Sequence, residues 1–260
     1  MILNKKISII IPAYNEEKRI KKTIQTYSRE LKKENIEYEI IVVFNGCIDN
    51  SIEVGKKLEK KHKRIKIIIE KSRIGKGGAI IKGFKHAKGN IIGFVDADQS
   101  THSKSVIKLI KVAEVFDGAI ASRYCDGAYL YKKQPLIRRI ASRCFNIWIK
   151  LLFGLKYKDT QCGAKFFQKK AIKKILPELG LTGWAFDIEL LYRLNQESFV
   201  ICEVPVNWKN DINTKLNMKK VIPKMLLSTL VFRIRSSKKL RPLTYNKISD
   251  AIYMYVKKIT

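Results

Sequence analysis

The sequence predicts an α/β fold in which a mostly parallel sheet is covered by helices on both faces. Over the first 115 residues, short runs rich in Ile and Val alternate with longer amphipathic segments, which is the pattern of repeated strand–helix units. The runs are almost continuously apolar, as expected where both faces of a parallel sheet are buried. With 260 residues, of which 46% are hydrophobic, the chain is large and apolar enough to bury a core. In folds of this kind, ligands bind beyond the carboxyl ends of the strands.

Four strand–helix units are predicted in the first half of the chain. The strands lie at residues 7–11, 38–44, 65–70 and 90–95, and the helices at residues 18–33, 50–61, 76–88 and 103–115. After residue 118 the pattern changes to a strand at 119–122, a basic loop and helix within 124–153, a turn at 159–163, a further strand, and the segment 184–195. Two apolar, basic segments at 218–235 and 248–256 predict C-terminal amphipathic helices.

The charge of the chain indicates an anionic partner without identifying it. Lys and Arg number 53 against 23 Asp and Glu, which gives a formal net charge of +30. Such a field concentrates nucleic acids, anionic lipids or phosphorylated substrates, although a solvated basic surface explains the same composition. The basic residues are spread over the whole chain and form no recognised nucleic-acid-binding module, so we expect no nucleic-acid partner.

Cysteine spacing and hydropathy indicate a peripheral protein at the cytoplasmic face of a membrane. The five cysteines are odd in number and lack Cys-x-x-Cys spacing, which argues against a disulfide framework and a zinc site. The apolar run at 7–11 is too short for a signal peptide. No stretch reaches the roughly 18 to 20 apolar residues of a membrane-spanning helix, so we expect no transmembrane segment.

Polar residues gather where the predicted strands end. Asp96 and Asp98 are two residues apart after the fourth strand, so both carboxylates point to the same side of an extended chain. Such a pair can share a divalent metal, Mg²⁺ or Mn²⁺, that bridges a diphosphate and stabilises its departure. Helix capping by Asp98 or Ser100 explains the pair equally well.

Three segments, in order and spacing, resemble the nucleotide-sugar half of family-2 glycosyltransferases. They are IIIPAYNEE at residues 9–17, VVFNGCIDNS at residues 42–51, and Asp96-Ala97-Asp98. The resemblance implies a GT-A fold, a nucleotide-sugar donor, and a Mg or Mn ion held by Asp96 and Asp98. The donor-binding residues that it implies are Pro12, Ala13, Tyr14, Glu16, Asn45, Asp49, Lys76, Asp96 and Ala97.

The second of these segments departs from the family pattern. The family commonly has Asp-Asp-Gly-Ser where this chain has Phe44-Asn45-Gly46-Cys47, so the carboxylate expected against the nucleotide base is missing. The amide of Asn45 can read a base edge, but an ordinary Asn-Gly turn explains the residue equally well. Similarly, the glycine-rich segment at 75–78 predicts either an anion-binding helix start or, with more weight, a loop-to-helix turn.

The second half of the chain resembles dolichyl-phosphate glucose synthases more than the related dolichyl-phosphate mannose synthases. The resemblance is carried by residues 122–124, 138–143, 159–165 and 184–191. It implies a dolichyl or other polyprenyl phosphate as acceptor.

A phosphate cradle is predicted from the basic residues of this half. Arg138 and Ser142 are four residues apart, as are Arg139 and Arg143, so each pair shares a face of a predicted helix. Together with Arg123 they offer multidentate donors to a phosphate, although a solvated basic helix face is the alternative. Neighbouring apolar residues would let this region dip into the lipid interface; they are Leu136, Ile137, Ile140, Phe145, Ile147, Trp148 and Phe153.

The choice of acceptor decides whether the site needs a base. A phosphate monoester is already largely ionised at neutral pH, whereas a sugar hydroxyl must be deprotonated. Asp187 and Glu189 are base candidates for the second case, and helix capping or loop anchoring explains Asp187 equally well. The catalytic residues predicted are Asp98, Arg123 and Asp187.

Two lysines near residue 210 are predicted to contact the donor, and the three histidines are predicted to have no role in metal binding. Lys209 and Lys215 match a family segment whose basic residues close over the donor diphosphate, although Asn213-Thr214 replaces the usual Gly-x-Ser. His62, His86 and His102 lack metal-ligand spacing and are expected at the surface.

These observations predict an inverting transferase that moves a hexose from UDP-glucose or GDP-mannose to dolichyl or polyprenyl phosphate at a membrane surface. Residues 1–216 are expected to form the GT-A catalytic domain, with a donor half at 1–117 and an acceptor half at 118–216. Residues 217–260 are expected to form a basic, apolar tail at the membrane. The alternatives are a family-2 transferase for a glycan or lipid hydroxyl and, from another class, a nucleic-acid-binding protein.

Overall fold

The computed structural model of the protein describes residues 5–131, 136–209 and 218–237. The strands are β1 (Ile7–Ala13), β2 (Tyr38–Asn45), β3 (Ile65–Glu70), β4 (Ile91–Phe94), β5 (Gly118–Ser122), β6 (Tyr129–Leu130), β7 (Lys165–Gln168), β8 (Ile201–Pro205) and β9 (Asn207–Trp208). The helices are α1 (Ile20–Lys33), α2 (Ser51–Lys61), α3 (Gly75–His86), α4 (Ser103–Val115), α5 (Leu136–Phe153), α6 (Lys169–Ile175), α7 (Phe186–Gln196) and α8 (Met218–Ser236), and a 3₁₀ turn covers Leu176–Glu178.

Seven strands form one mixed sheet in the order β3-β2-β1-β4-β7-β5-β8. β1 pairs in parallel with both β2 and β4, so the order of the chain reverses at β1. β7 runs antiparallel to its neighbours β4 and β5, while β8 pairs in parallel with β5. A separate pair of short parallel strands, β6 and β9, lies outside this sheet. The topology places the carboxyl ends of β1, β2 and β4 at one edge, at the switch point where ligands bind in open α/β sheets.

The core lies on both faces of the sheet, as the continuous apolar strands predict. On one face, residues of α1, α2 and α4 pack against alternate strand residues such as Ile9 and Val42. On the other face, residues of α3, α5, α6, α7 and α8 pack against the intervening residues, such as Ile10 and Val43. Both sets of strand residues are buried because successive side chains of a strand point to opposite faces.

The predicted α/β architecture is confirmed, and the four strand–helix units end within two residues of their predicted limits. The sheet differs from the expectation in its second half, where β7 inserts antiparallel between β4 and β5 and a strand at β8 completes the edge. The histidines at 62, 86 and 102 are exposed, as expected. His102 also caps α4, because its side chain accepts a hydrogen bond from the backbone N–H of Lys104 at 3.2 Å.

Helix α8 confirms the predicted helix near residues 218–235 and packs against α5. The indole N–H of Trp148 donates to Thr229 Oγ1 at 3.1 Å, and Arg233 Nε donates to the carbonyl of Leu152 at 2.6 Å. The rings of Phe153 and Phe232 stack with centroids 5.6 Å apart. The predicted helix at 248–256 lies outside the described residues.

The expectation that the apolar residues of α5 all face lipid is wrong, because some of them are buried in the core. Phe145 and Phe153 are buried in the core, and Trp148 is partly buried against α8, because these residues share the helix face that packs on the sheet. The exposed apolar residues of α5 are Leu136, Ile137, Ile140, Ile147 and Leu151. Within the described parts of the chain, no helix combines the length and apolar character needed to cross a membrane.

Candidate active site

Asp96 and Asp98 follow β4 in a short segment that α1 holds in place. Thr23 Oγ1 donates to the carbonyl of Ala97 at 2.6 Å, and the hydroxyl of Tyr27 donates to the carbonyl of Thr101 at 2.9 Å. Asp98 Oδ1 accepts from the N–H of Ser100 at 2.9 Å, two residues further along. Neither Asp98 nor Ser100 caps α4, since His102 does so. The explanation that the acidic pair caps helix α4 is therefore wrong.

A row of alternating charges leads from Asp96 into the protein. Lys76 Nζ lies 2.8 Å from Asp96 Oδ1 and 3.9 Å from Asp187 Oδ2. Asp187 Oδ1 in turn accepts from Lys165 Nζ at 2.6 Å, and Lys165 also donates to the carbonyl of Cys162 at 2.7 Å. Burial alone would lower the pKa of Lys76, but the charges of Asp96 and Asp187 outweigh it and raise that pKa above its ordinary value. The two carboxylates therefore stabilise the charged form of the lysine.

The sheet register explains how Lys165 reaches this row. Because β7 is antiparallel to β4, Lys165 at the start of β7 lies opposite Phe94 at the end of β4. The ammonium lies 5.5 Å from the centroid of the Phe94 ring, and the side chain of Lys165 is fully buried. A buried ammonium needs a paired charge, which Asp187 in the first turn of α7 supplies.

Glycines allow close packing on both sides of the acidic pair. A Cβ atom built on Gly163 would lie 1.7 Å from Asp96 Oδ2, so the carboxylate rests directly on the backbone there. Gly75 and Gly77 open α3, and a Cβ on either would collide with the carbonyl of Thr182 or Leu181, respectively. The N–H of Gly78 donates to the carbonyl of Thr182 at 3.1 Å. These contacts support the loop-to-helix turn over an anion-binding helix start for residues 75–78.

The acidic pair fits a divalent cation. Burial, and then the negative charge of Asp96, raise the pKa of Asp98. Carboxylate oxygens are the ligands that Mg²⁺ and Mn²⁺ prefer, and Mg²⁺ is commonly bound by one or two carboxylates with substrate phosphates and water. The part of the chain that the structure describes contains no group of three or more His, Cys, Asp or Glu side chains placed to bind a metal. A cation at this pair would therefore need ligands from the donor or from water.

The ends of β1 and β2 lie at the same edge as the acidic pair. Asn45 is buried, and its Nδ2 donates to the carbonyl of Ala13 at 3.0 Å. Gly46 follows in the left-handed region with φ of +66°, and a Cβ there would meet the backbone of Arg73 at 2.9 Å. This geometry supports the Asn-Gly turn, and a contact of Asn45 with a nucleotide base stays a prediction. The guanidinium of Arg73 lies 4.4 Å from the centroid of the Tyr14 ring, a contact that the sequence did not indicate.

Glu16 and Asp49 have partners within the protein. The carboxylate of Glu16 forms a two-point ion pair with Arg19, at 2.7 and 2.9 Å. Asp49 accepts from the backbone N–H groups of Glu17 and Ser51, at 3.2 and 3.0 Å. Pro12 and Ala13, the last residues of β1, lie beside Val43 and Phe44 of β2. The donor-binding roles of these residues stay predictions.

Arg123 is held by a carboxylate at the end of β5. Its side chain makes two hydrogen bonds to Asp159, at 2.7 and 3.0 Å, and its backbone N–H donates a third at 3.0 Å. Glu203 fixes Asp159 by accepting from its N–H at 2.9 Å. The Arg123 guanidinium also lies 5.3 Å from the ring centroid of Trp208. Burial opposes ionisation of Asp159, but Arg123 outweighs it and lowers the pKa of that carboxyl.

Tyr124 links Arg123 to the basic helix α5. Its hydroxyl donates to Ser142 Oγ at 3.3 Å, and the guanidinium groups of Arg123 and Arg143 lie 5.6 and 4.9 Å from its ring centroid. The structure thus brings Arg123, Ser142 and Arg143 together, as the predicted cradle requires. Arg139 is exposed on α5. The side chain of Arg138 lies outside the described residues.

Lys209 and Lys215 are the two remaining basic residues that were predicted to contact the donor. Lys209 is exposed, and its N–H donates to the carbonyl of Ser100 at 2.8 Å, which places it beside the segment that follows the acidic pair. Lys215 lies outside the described residues.

Sequence reasoning assigned no role to Lys165, Gly163 and Asp159, three residues that contact the candidate site residues. A signal existed for the first, since Lys165 is the only charged residue of the apolar run at 164–167. A charged residue within a strand pattern indicates a buried partner. Gly163 and Asp159 carry no such signal, because a close approach and a bidentate ion pair depend on the tertiary structure.

Comparison with known proteins agrees with this geometry. Residues 8–176 match the profile described as Glycosyl transferase family 2. The chain belongs to glycosyl transferase family 2. This family assignment covers β1 to β4 and their helices, together with the acidic pair and the Arg123 region.

Several relatives of this glycosyltransferase are dolichyl-phosphate beta-glucosyltransferases. That of Saccharomyces cerevisiae is 31% identical over 248 residues, which cover 88% of this chain and 74% of the relative. That of Dictyostelium discoideum is 30% identical over 224 residues, covering 81% and 68%. Glycosyltransferase AglD of Haloferax volcanii is 28% identical over 221 residues, covering 83% of this chain but only 35% of AglD.

Solved structures similar to this glycosyltransferase establish its GT-A fold. Glucosyl-3-phosphoglycerate synthase of Mycobacterium tuberculosis aligns with a TM-score of 0.65 and 19% identity, covering 88% of this chain and 81% of that one. Its complex with Mn²⁺, uridine diphosphate and phosphoglyceric acid aligns with a TM-score of 0.66 and 18% identity, covering 88% and 78%. The GT-A fold implied by the sequence resemblance is thereby confirmed.

Proposed function

We propose that this glycosyltransferase moves a hexose, glucose before mannose, from a nucleotide sugar to dolichyl phosphate or a related polyprenyl phosphate. The relatives named dolichyl-phosphate beta-glucosyltransferase support this substrate class. The single observation that carries the proposal is that Asp187 is buried and ion-paired. A hydroxyl acceptor would need Asp187 as a free base, whereas a phosphate acceptor would not.

Asp187 is not placed as a base for a hydroxyl acceptor. Its side chain is 4% exposed, Oδ1 accepts a hydrogen bond from Lys165 at 2.6 Å, and Oδ2 lies 3.9 Å from the ammonium of Lys76. Glu189, the other candidate, is buried and accepts from the N–H groups of Gly180 and Leu181 at 2.9 and 2.6 Å. A general base must reach the proton that it removes, and both carboxylates are buried and paired within the protein. A phosphate acceptor needs no such base.

Arg123 and its neighbours supply the matching positive charge. Asp159 fixes the orientation of the Arg123 guanidinium, and Tyr124 joins it to Ser142 and Arg143 on α5. Guanidinium groups recognise phosphate through parallel hydrogen bonds, and a preoriented group loses less entropy on binding. We assign this cluster, with Arg138 and Arg139 of the same helix, to the acceptor phosphate.

Asp96 and Asp98 would hold the divalent metal, Mg²⁺ or Mn²⁺, with the diphosphate of the donor. When bound, the metal acts as a Lewis acid that stabilises the negative charge of the departing nucleoside diphosphate. The complexes of the synthase of similar fold with Mg²⁺ or Mn²⁺ and uridine diphosphate support this assignment. We assign the base and ribose of the donor to the carboxyl ends of β1 and β2, where Tyr14 and Asn45 lie.

The chemistry is a single displacement at the anomeric carbon. An oxygen of the acceptor phosphate forms the new bond to that carbon while the bond to the diphosphate oxygen breaks. The electron pair leaves with the nucleoside diphosphate, and the configuration of the sugar inverts. The protein contributes by holding the two reactants in line, since orientation alone can supply several kcal/mol of the barrier, roughly 7 in favourable cases.

The acceptor also explains why α5 is apolar on its outer side. Ile137, Ile140, Ile147 and Leu151 recur at helical spacing and are exposed, and Arg139 and Arg143 lie on the same helix. An exposed apolar stripe beside basic residues is typical of a helix that lies in the membrane interface. We therefore place the protein peripherally at a membrane surface, the cytoplasmic face, where a lipid phosphate is accessible. Residues 1–216 are assigned to catalysis and residues 217–260 to the membrane-associated tail.

Transfer of labelled sugar to polyprenyl phosphate tests the proposal. UDP-glucose and GDP-mannose are compared as donors with Mg²⁺ or Mn²⁺, for the wild type and for Asp98→Asn. We expect lipid-linked product that depends on the metal and falls at least about 100-fold in the variant, the usual cost of losing a group that stabilises transition-state charge. Glu53→Gln, on the exposed side of α2, is the control and should keep full activity. Transfer to a sugar hydroxyl without lipid-linked product would favour the hydroxyl-acceptor alternative.

A further inference from the structure

Lys76 pairs with Asp96, one of the two carboxylates that are proposed to hold the metal. Its ammonium is 2.8 Å from Asp96 Oδ1, and only 13% of its side chain is exposed. Two aromatic rings, those of Phe94 and Trp184, lie with their centroids 5.7 Å from the ammonium. Because a carboxylate oxygen that binds an ammonium closely is less available to a hard cation, Lys76 and a divalent metal compete for the same group.

A second carboxylate keeps Lys76 at this position. Asp187 Oδ2 lies 3.9 Å from Lys76 Nζ, and Asp187 is fixed on its other side by the fully buried Lys165. Lys165 is itself anchored by the carbonyl of Cys162 at 2.7 Å. The backbone of Lys76 is equally fixed, since α3 begins against the carbonyls of Leu181 and Thr182. If Lys76 loses Asp96, its ammonium therefore stays beside Asp187.

We infer that Lys76 is an internal counter-ion of Asp96 which a divalent cation must displace, and which then pairs with the diphosphate of the donor. The inference rests on the proposed function, because it assumes that the acidic pair binds a metal. If the inference holds, the metal binds only weakly to the protein in the absence of the donor. The donor diphosphate raises the metal affinity by giving Lys76 a new partner, and by linkage the metal raises the affinity for the nucleotide to the same degree.

Mn²⁺ binding to the full chain, measured by electron paramagnetic resonance without nucleotide, tests the inference. Lys76→Met removes the competing charge with a side chain of similar length. We expect it to bind Mn²⁺ roughly tenfold more tightly than the wild type, the effect of losing one charge-assisted hydrogen bond from the competitor. Lys76→Arg keeps the charge and should retain weak binding. Lys82→Met is the matched control, since Lys82 lies on the same helix but pairs with Glu70.

Repeating the titrations with uridine diphosphate measures the coupling. In the wild type, uridine diphosphate should raise the affinity for Mn²⁺. In Lys76→Met this increase should be about tenfold smaller, because the variant has no ammonium that can move from Asp96 to the diphosphate. Equal or weaker Mn²⁺ binding by a folded Lys76→Met without nucleotide would overturn the inference and leave the proposed function intact. Absence of Mn²⁺ binding by the wild type even with uridine diphosphate would overturn the metal site, and the inference with it. Circular dichroism establishes that each variant is folded.

Discussion

At the scale of single residues, the site depends on groups that contact Asp96. Gly163 supports the carboxylate through backbone, Lys76 neutralises it, and Asp187 with Lys165 holds that lysine. The ion pairs Lys76–Asp96 and Lys165–Asp187 are 2.8 and 2.6 Å long, and Gly163 leaves no room for a side chain beside Asp96. The position of Asp96 is therefore set by its neighbours as much as by the strand that it follows.

Gly163→Ala should lower the activity of the protein without unfolding it. The new methyl group would lie 1.7 Å from Asp96 Oδ2, so the carboxylate has to move by more than 1 Å. A displacement of about 1 Å in a positioned group costs roughly 100-fold in rate, and we expect a loss of that size in sugar transfer. The same variant should bind Mn²⁺ with uridine diphosphate more weakly. Steady-state kinetics and Mn²⁺ titration measure the two effects, and wild-type values for both would show that Asp96 can move without consequence.

At the scale of secondary-structure elements, strand direction decides what meets at the edge of the sheet. β1, β2 and β4 are parallel, so their carboxyl ends bring Ala13, Asn45 and the acidic pair together. β7 is antiparallel, so it contributes its first residue, Lys165, to the same edge. A parallel strand in that place would present its last residue instead and would leave Asp187 without its partner. The single reversal of direction therefore builds the buried half of the site.

Phe232→Ala should loosen α8 from α5. Phe232 is 5% exposed, and its ring lies 5.6 Å from those of Phe153 and Tyr192. Replacing a buried Phe by Ala costs about 3 kcal/mol or more, and we expect the free energy of unfolding to fall by that amount. Trypsin should also cleave within α8 faster than in the wild type. Leu230→Ala, at an exposed position of the same helix, should change stability by less than about 0.5 kcal/mol. Equal cleavage rates in the two variants would contradict the role of Phe232.

At the scale of the whole molecule, the basic charge and the exposed apolar residues of α5 support the proposed membrane interface. The net charge of +30 attracts an anionic surface from a distance, and the exposed residues of α5 offer an apolar contact once the protein arrives. The proposed phosphate cradle involves the same helix, through Ser142 and Arg143. A lipid phosphate held there would keep its chain directed toward the apolar stripe.

Binding to lipid vesicles should depend on that stripe. In a sedimentation assay with vesicles of phosphatidylserine and phosphatidylcholine, Ile140→Asn and Ile147→Asn should each weaken binding by about tenfold, because burial of one such side chain is worth about 1.5 kcal/mol. Binding should also fall as salt is raised, since the charges are screened. Val115→Asn, at an exposed position of α4, is the matched control and should bind as the wild type does. Equal binding by all three variants would exclude α5 as the lipid-contacting surface.

The sequence by itself determined the α/β class, the limits of the first four strand–helix units and the clustering of Asp96, Asp98, Tyr14 and Asn45 at strand ends. These features follow from local patterns, because the periodicity of apolar residues and the turn residues after each strand are visible along the chain. The family resemblance added the donor and acceptor classes.

Only the tertiary structure decided how the charges are paired. Residues distant in sequence are joined by the antiparallel insertion of β7 and by the contact between Asp96 and Gly163. The ion pairs of Asp187 and Arg123 do the same. A carboxylate reads the same in the sequence whether it is a free base or is neutralised by a buried lysine. Its chemistry depends on the dielectric surroundings and on the charges within a few ångströms, and these are fixed only when the sheet is assembled.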